Sequence, residues 1–150
     1  MKTLFSITML ALVSVLYAQS IEEFTNDFER QKALTIAYVE AMPADMFEFK
    51  PNEDVRTFAQ QRLHLAQGTF NISSNGTGGQ RMYAKVNLEK VAEYQSKEEV
   101  LRLVNECFDY LISGLKEMDA STFDEVVERG SFKVTRRGWL NKSLEHVAHH

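Results

Sequence analysis

The chain has 150 residues, 44% of them hydrophobic and 25% charged, which is the composition of an ordinary folded protein and excludes disordered and fibrous classes. A net charge of −4 and a pI near 5.6 leave no basic footprint for nucleic acid. A single cysteine excludes an intramolecular disulfide, and the length suits one domain around one core.

The chain begins with Lys2 and then an uncharged, mostly apolar run through Tyr17 and Ala18, followed by Gln19-Ser20 and acidic sequence. A positive end ahead of an apolar stretch of this length is the pattern of a secretory signal peptide, and residues 1–18 are expected to be removed near Ala18. Their removal takes one Lys and no acid, moving the charge from −4 to −5. An uncleaved anchor helix is the alternative, but the run is short of the ~20 apolar residues a bilayer requires. The expected address is secreted or periplasmic, with no stable membrane anchor after cleavage. The expected domain is residues 19–150.

Ile21, Phe24, Phe28, Thr35, Val39 and Met42 recur at 3-, 4- and 7-residue spacings and predict an amphipathic helix. Pro43 and Pro51 break it. Phe47 and Phe49 alternate with polar residues between them, which suggests an extended piece laid across the core. A second helix is expected from Asn52 or Asp54, through Val55, Phe58, Leu65 and Ile72, fraying at Ser73-Ser74-Asn75-Gly76. About twenty residues without strong period follow, too many for a tight turn and suited to a crossover spanning a bundle.

Ser96-Lys97-Glu98-Glu99 has the form of a capping box and opens a third helix. That helix carries the stripe Val100, Val104, Cys107, Phe108, Leu111, Leu115 and Met118 to about Asp119, which makes Cys107 a buried small hydrophobe. A mixed stretch with Gly130 and alternating Ser131-Phe132-Lys133-Val134 comes next. Thr135 can cap a fourth helix from Arg136, although Arg136 and Arg137 in its first turn oppose the helix dipole. The predicted fold is all-α, a four-helix bundle with a long crossover between helices 2 and 3.

All four histidines fall on predicted helices. His146 and His150 are four residues apart, so their rings project from one face on successive turns and can reach a common metal ion. His149 lies about 100° off His150 and is the weaker candidate. His64 is flanked by Gln60, Gln61 and Gln67, and periodicity alone reads it as solvent-exposed. Gly68, one turn on, argues the other way, because a missing side chain admits close approach of another helix or a ligand. No Glu follows His146, so the zinc-protease pattern H-E-x-x-H is absent. Glu145 sits about 100° round the helix from His146 and reads as solvated rather than as a general base. Arg136-Arg137 likewise reads as a solvated pair, and the sequons at Asn71, Asn75 and Asn141 carry little weight.

Two stretches resemble the DinB-like (DinB/YfiT) superfamily of metal-binding four-helix bundles. Ala41-Met42-Pro43 through Phe49-Lys50-Pro51, with Val55-Arg56-Thr57-Phe58-Ala59 and Leu63-His64-Leu65-Ala66, is similar to its first interhelical segment and second helix. Thr135-Arg136-Arg137 through Leu144-Glu145-His146-Val147-Ala148-His149-His150 is similar to the start of its fourth helix. The resemblance implies a metal-binding triad of His64, His146 and His150, which overrides the exposed reading of His64. It also implies a continuation beyond the last histidine, so a fourth helix truncated at the C-terminus is expected here.

Three imidazoles leave a divalent ion open positions, as in catalytic rather than structural zinc sites. Zinc is the first choice of ion, with nickel or iron also suited to imidazole. The resemblance implies a metal-dependent transferase, thiol-dependent in relatives; metal-assisted hydrolysis is the variant compatible with export. The alternatives are a non-enzymatic metal- or small-ligand-binding protein and a dimerising structural module.

Overall fold

In the computed structural model, which describes residues 20–150, four α-helices enclose one core. The expected signal segment, residues 1–18, lies outside the described residues. The helices are α1 (Ser20–Ala41), α2 (Phe58–Thr77), α3 (Lys97–Lys116) and α4 (Arg136–His149). A hairpin of two antiparallel strands, β1 (Val126–Arg129) and β2 (Phe132–Thr135), precedes α4. Among the described residues, no helix is long and apolar enough to cross a membrane.

Phe24, Phe28, Thr35 and Val39 of α1 are buried, with Ile21 and Met42 packed at the margin, so the predicted stripe does face the core. After Pro43 the chain makes a 3-10 turn at Ala44–Met46 rather than an extended strand. Phe47 enters the core and packs edge-on against Phe58 at 5.2 Å, while Phe49 is half exposed. The backbone carbonyls of Phe49 and Phe47 accept from the N–H groups of Phe58 and Ala59, satisfying donors that a helix start leaves open.

The second helix begins and ends later than its pattern suggests. Thr57 caps it: the Thr57 hydroxyl accepts from Gln60 N–H at 3.2 Å, and the Gln60 side-chain Oε1 accepts from Thr57 N–H at 3.1 Å. At the other end Ser73-Ser74-Asn75-Gly76 stays helical. Thr69, Ser73 and Thr77 turn their hydroxyls back to carbonyls four residues earlier, and Ser74 and Asn75 bond to Asn71 O. Polar side chains so satisfied can be buried between helices. Gly78, at φ 80°, ends the helix, its N–H donating to Ser74 O.

The ends of the helices give their directions. Lys97 at the start of α3 donates to Glu40 and Met42 carbonyls at the end of α1, so α1 and α3 run antiparallel. Thr77 lies against Gly114, late on α3, so α2 and α3 run parallel. Parallel neighbours need a connection that returns the length of the bundle, and residues 78–96 supply it. That crossover holds 3-10 turns at Leu88–Lys90 and Ala92–Tyr94 and inserts Leu88 into the core. In the Ser96 box the hydroxyl accepts from Glu99 N–H, but the Glu99 carboxylate binds Arg102, so only half of the reciprocal pair forms.

Cys107 is fully buried on α3 with its Sγ toward Val104 O, and burial pushes its thiol up, out of the reactive range. Gly130, at φ 57°, turns the hairpin, which Trp139 Nε1 ties to α4 by donating to Val127 O at 3.0 Å. Thr135 caps α4 as its position suggests, with Gly138 N–H donating to its hydroxyl. The two arginines of that first turn are answered by acids outside it, Arg136 by Glu125 at 2.8 Å and Arg137 by Asp124 at 3.8 Å; Arg137 also lies over Phe123. Thr57→Ala should lower stability by ~1 kcal/mol in chemical denaturation, since it removes the α2 cap hydroxyl.

Candidate metal centre

Helix α4 lies antiparallel to α2: Gly76 near the end of α2 meets Leu140 near the start of α4, and Gly68 meets His146. A Cβ built on Gly68 would stand 1.9 Å from His146 Nε2. Glycine is therefore what admits that ring between the two helices. Antiparallel packing then sets His64, one turn before Gly68, against His146 of α4 and His150, the residue that caps its C-terminus.

The three rings converge. Ring centroids are 5.5 Å apart for His64–His146 and 4.6 Å apart for both His64–His150 and His146–His150. One nitrogen from each lies within 4.8 Å of the others. Tetrahedral zinc, with Zn–N near 2.0–2.1 Å, brings its nitrogens to about 3.3 Å, so ring adjustments of about an ångström would close the trio on an ion. His149 is exposed and outside the trio, although its ring touches that of His150. Glu145 is exposed as well.

His64 is half buried, and its periodicity-based reading as a solvent-exposed side chain is corrected by its contacts. The surrounding glutamines that made the face look solvated each hold structure: Gln60 caps α2, Gln67 binds the crossover, and Gln61 lies 2.7 Å from His150 Nδ1. His64 Nδ1 lies 2.7 Å from Glu89 Oε1, and Arg56 bonds the same carboxylate at 2.6 and 3.4 Å. Burial alone would raise the Glu89 pKa, but hydrogen bonds from Arg56 and His64 outweigh it and hold the carboxylate below its usual range. Glu89, Arg56 and Gln61 carry no sequence signal for this role, because nothing local places the crossover against α2.

Burial lowers the His146 pKa, with repulsion from His64 adding to it. Burial, then repulsion from His146 and His64, pushes His150 down to about 4. Both rings are thus neutral at pH 7, the form that offers a lone pair to a metal. His146 Nε2 is buried and, among the described residues, has no hydrogen-bond partner. Three imidazole nitrogens this close to one another fit a borderline-soft divalent cation.

A family model for the DinB superfamily matches residues 27–150. The chain belongs to the DinB superfamily. Comparison with curated proteins finds no match. In this DinB-superfamily chain the helix order agrees with the four-helix bundle implied by the local resemblances at residues 41–66 and 135–150.

Beside His150 a cleft of about 560 Å³ opens between α1, the start of α2 and the end of α4. Leu34, Tyr38, Met42 and Phe58 give it apolar walls. Arg62 reaches the same cleft; it donates to His150 O, while its Nε is buried without a partner among the described residues. Burial lowers the Arg62 pKa.

The lowered histidine pKa values give a stability signature. The folded state binds fewer protons than the unfolded chain between the ordinary value of 6.5 and about 4, so stability is complete above that window and lost as pH falls through it. In chelator-treated protein the denaturation midpoint should drop as pH falls from 6.5 toward 4, and His150→Gln should make that drop shallower.

Proposed function

We propose that this chain is a divalent-metal-binding protein in which His64, His146 and His150 hold the ion, zinc first and nickel or iron as further candidates. The loaded site would carry transfer or hydrolysis of a small organic molecule. The observation that supports this reading is the convergence of three imidazoles, one nitrogen of each within 4.8 Å of the others. Three nitrogen ligands are the count of an open, catalytic zinc site rather than a closed structural one. When bound, such an ion supplies Lewis acidity to a thiol or water nucleophile.

The chain's own residues would do the rest. The apolar walls at Leu34, Tyr38, Met42 and Phe58 suit the body of an organic ligand, and the guanidinium of Arg62, which lines the same cleft, suits an anionic group on it. A non-enzymatic metal or ligand carrier is the second reading. It is favoured by the engagement of Glu89, the carboxylate touching the trio, with both His64 and Arg56, which leaves it poorly placed to shuttle protons.

Purified wild-type protein should take up about one zinc ion per chain, and His64→Ala and His146→Ala should each bring metal content close to zero. Gly68→Ala should do much the same with all three histidines retained, since its Cβ displaces the His146 ring. A wild-type metal content near zero would sink both readings; metal without turnover of thiol conjugates or esters would favour the carrier.

We also propose export, supported by Lys2 and the apolar run to Ala18. Protein recovered from a secreting host should begin near Gln19, and recovery only with Met1 in place would refute this.

A further inference from the structure

We propose that Glu89 is a positioning residue for His64, locking that ring in the tautomer and orientation that a metal ion requires; the metal half of this rests on the reading of the histidine trio given above. An ionised carboxylate can only accept hydrogen bonds. With Glu89 Oε1 at 2.7 Å from His64 Nδ1, the neutral ring must donate from Nδ1 and carry its lone pair on Nε2. Carboxylate partners of this kind fix the orientation and raise the basicity of metal-binding imidazoles.

A surface acid could make such a contact by chance, but Glu89 is held from several sides. Arg56 clamps its carboxylate at 2.6 and 3.4 Å. Its own N–H donates to Asn87 Oδ1 at 3.1 Å, and its carbonyl accepts from Gln95 Nε2 at 3.2 Å. The preceding residue, Leu88, is fully buried and donates its N–H to Gln67 Oε1 at 2.9 Å. Gln67 stands three residues after His64, one turn along the same helix. The bonds therefore close a circuit: α2 grips the crossover through Gln67, and the crossover grips α2 through Glu89 and His64. This circuit holds the carboxylate of a crossover residue against α2. The other two rings are served differently, His150 by the Gln61 amide and His146 by the room at Gly68.

The test uses the full chain with ¹⁵N-labelled histidine, stripped of metal by chelator and held near neutral pH. Long-range ¹⁵N–¹H correlation spectra report which nitrogen of each ring carries the proton. Wild-type His64 should be in the Nδ1–H form, and Glu89→Ala should convert it to a tautomer mixture, while Glu89→Gln, whose amide oxygen can still accept, should keep the Nδ1–H form. Zinc affinity, measured against a chromophoric chelator, should fall by about 10- to 100-fold in Glu89→Ala and by less in Glu89→Gln. Arg56→Gln, which loosens the carboxylate without removing it, should fall between wild type and Glu89→Ala. His64 found as the Nε2–H form in wild type, or an unchanged tautomer and unchanged zinc affinity in Glu89→Ala, would overturn the proposal. Wild-type protein that takes no zinc while the His64 tautomer still depends on Glu89 would overturn the metal reading and leave the lock standing.

Discussion

The close approach of α2 and α4 is the constraint on which the site depends. Two glycines of α2 permit it, Gly76 against Leu140 and Gly68 against His146, eight residues and roughly 12 Å apart along the helix. Side chains at those points would hold the helices apart, and a histidine trio drawn from two helices tolerates little separation. Because the helices are antiparallel, the start of α2 faces the end of α4, so His64 meets the ring of His146 and that of His150 at the C-cap. The same contact strip combines helix packing with the gathering of nitrogen donors.

The polar character of this seam is balanced locally. Hydroxyls along α2 return to carbonyls of their own helix, which lets Thr69 and Ser73 lie fully buried between neighbours. The rings of His146 and His150 avoid the cost of burying charge by staying neutral. Charge is placed at the margin instead, where Arg56 and Glu89 face each other beside His64. Neutral rings at His146 and His150 lie inside, and the paired carboxylate of Glu89 lies at the edge against His64.

Much of the bundle was legible in the residues. The α1 stripe, the burial of Cys107, the Thr135 cap and the long crossover all follow from periodicity, capping chemistry and loop length. The α2 boundaries did not. Asn52 and Asp54 look like caps, yet Thr57 with Gln60 makes the reciprocal pair, and Ser73 to Gly76 looks like a fraying end only until its side chains are seen bonding inward. The hairpin was hidden in a short alternating stretch that a helical reading passes over. His64 was misjudged by pattern for the same kind of reason: α2 packs on two helices and the crossover at once, so its buried arc is too wide for one stripe to describe.

By itself the sequence determined that the chain is helical, that His146 and His150 share one face of a helix, and that Gly68 leaves a gap one turn from His64. These are local matters, set by 3.6-residue periodicity and by the absence of a side chain. Only the tertiary structure decided what fills that gap and what surrounds the trio. The direction of α4 against α2 and the course of residues 78–96 bring Glu89 within 2.7 Å of a histidine 25 residues earlier, and no spacing rule encodes such a contact. It arises because parallel α2 and α3 oblige the chain to travel back along the bundle, past the very ring that it holds.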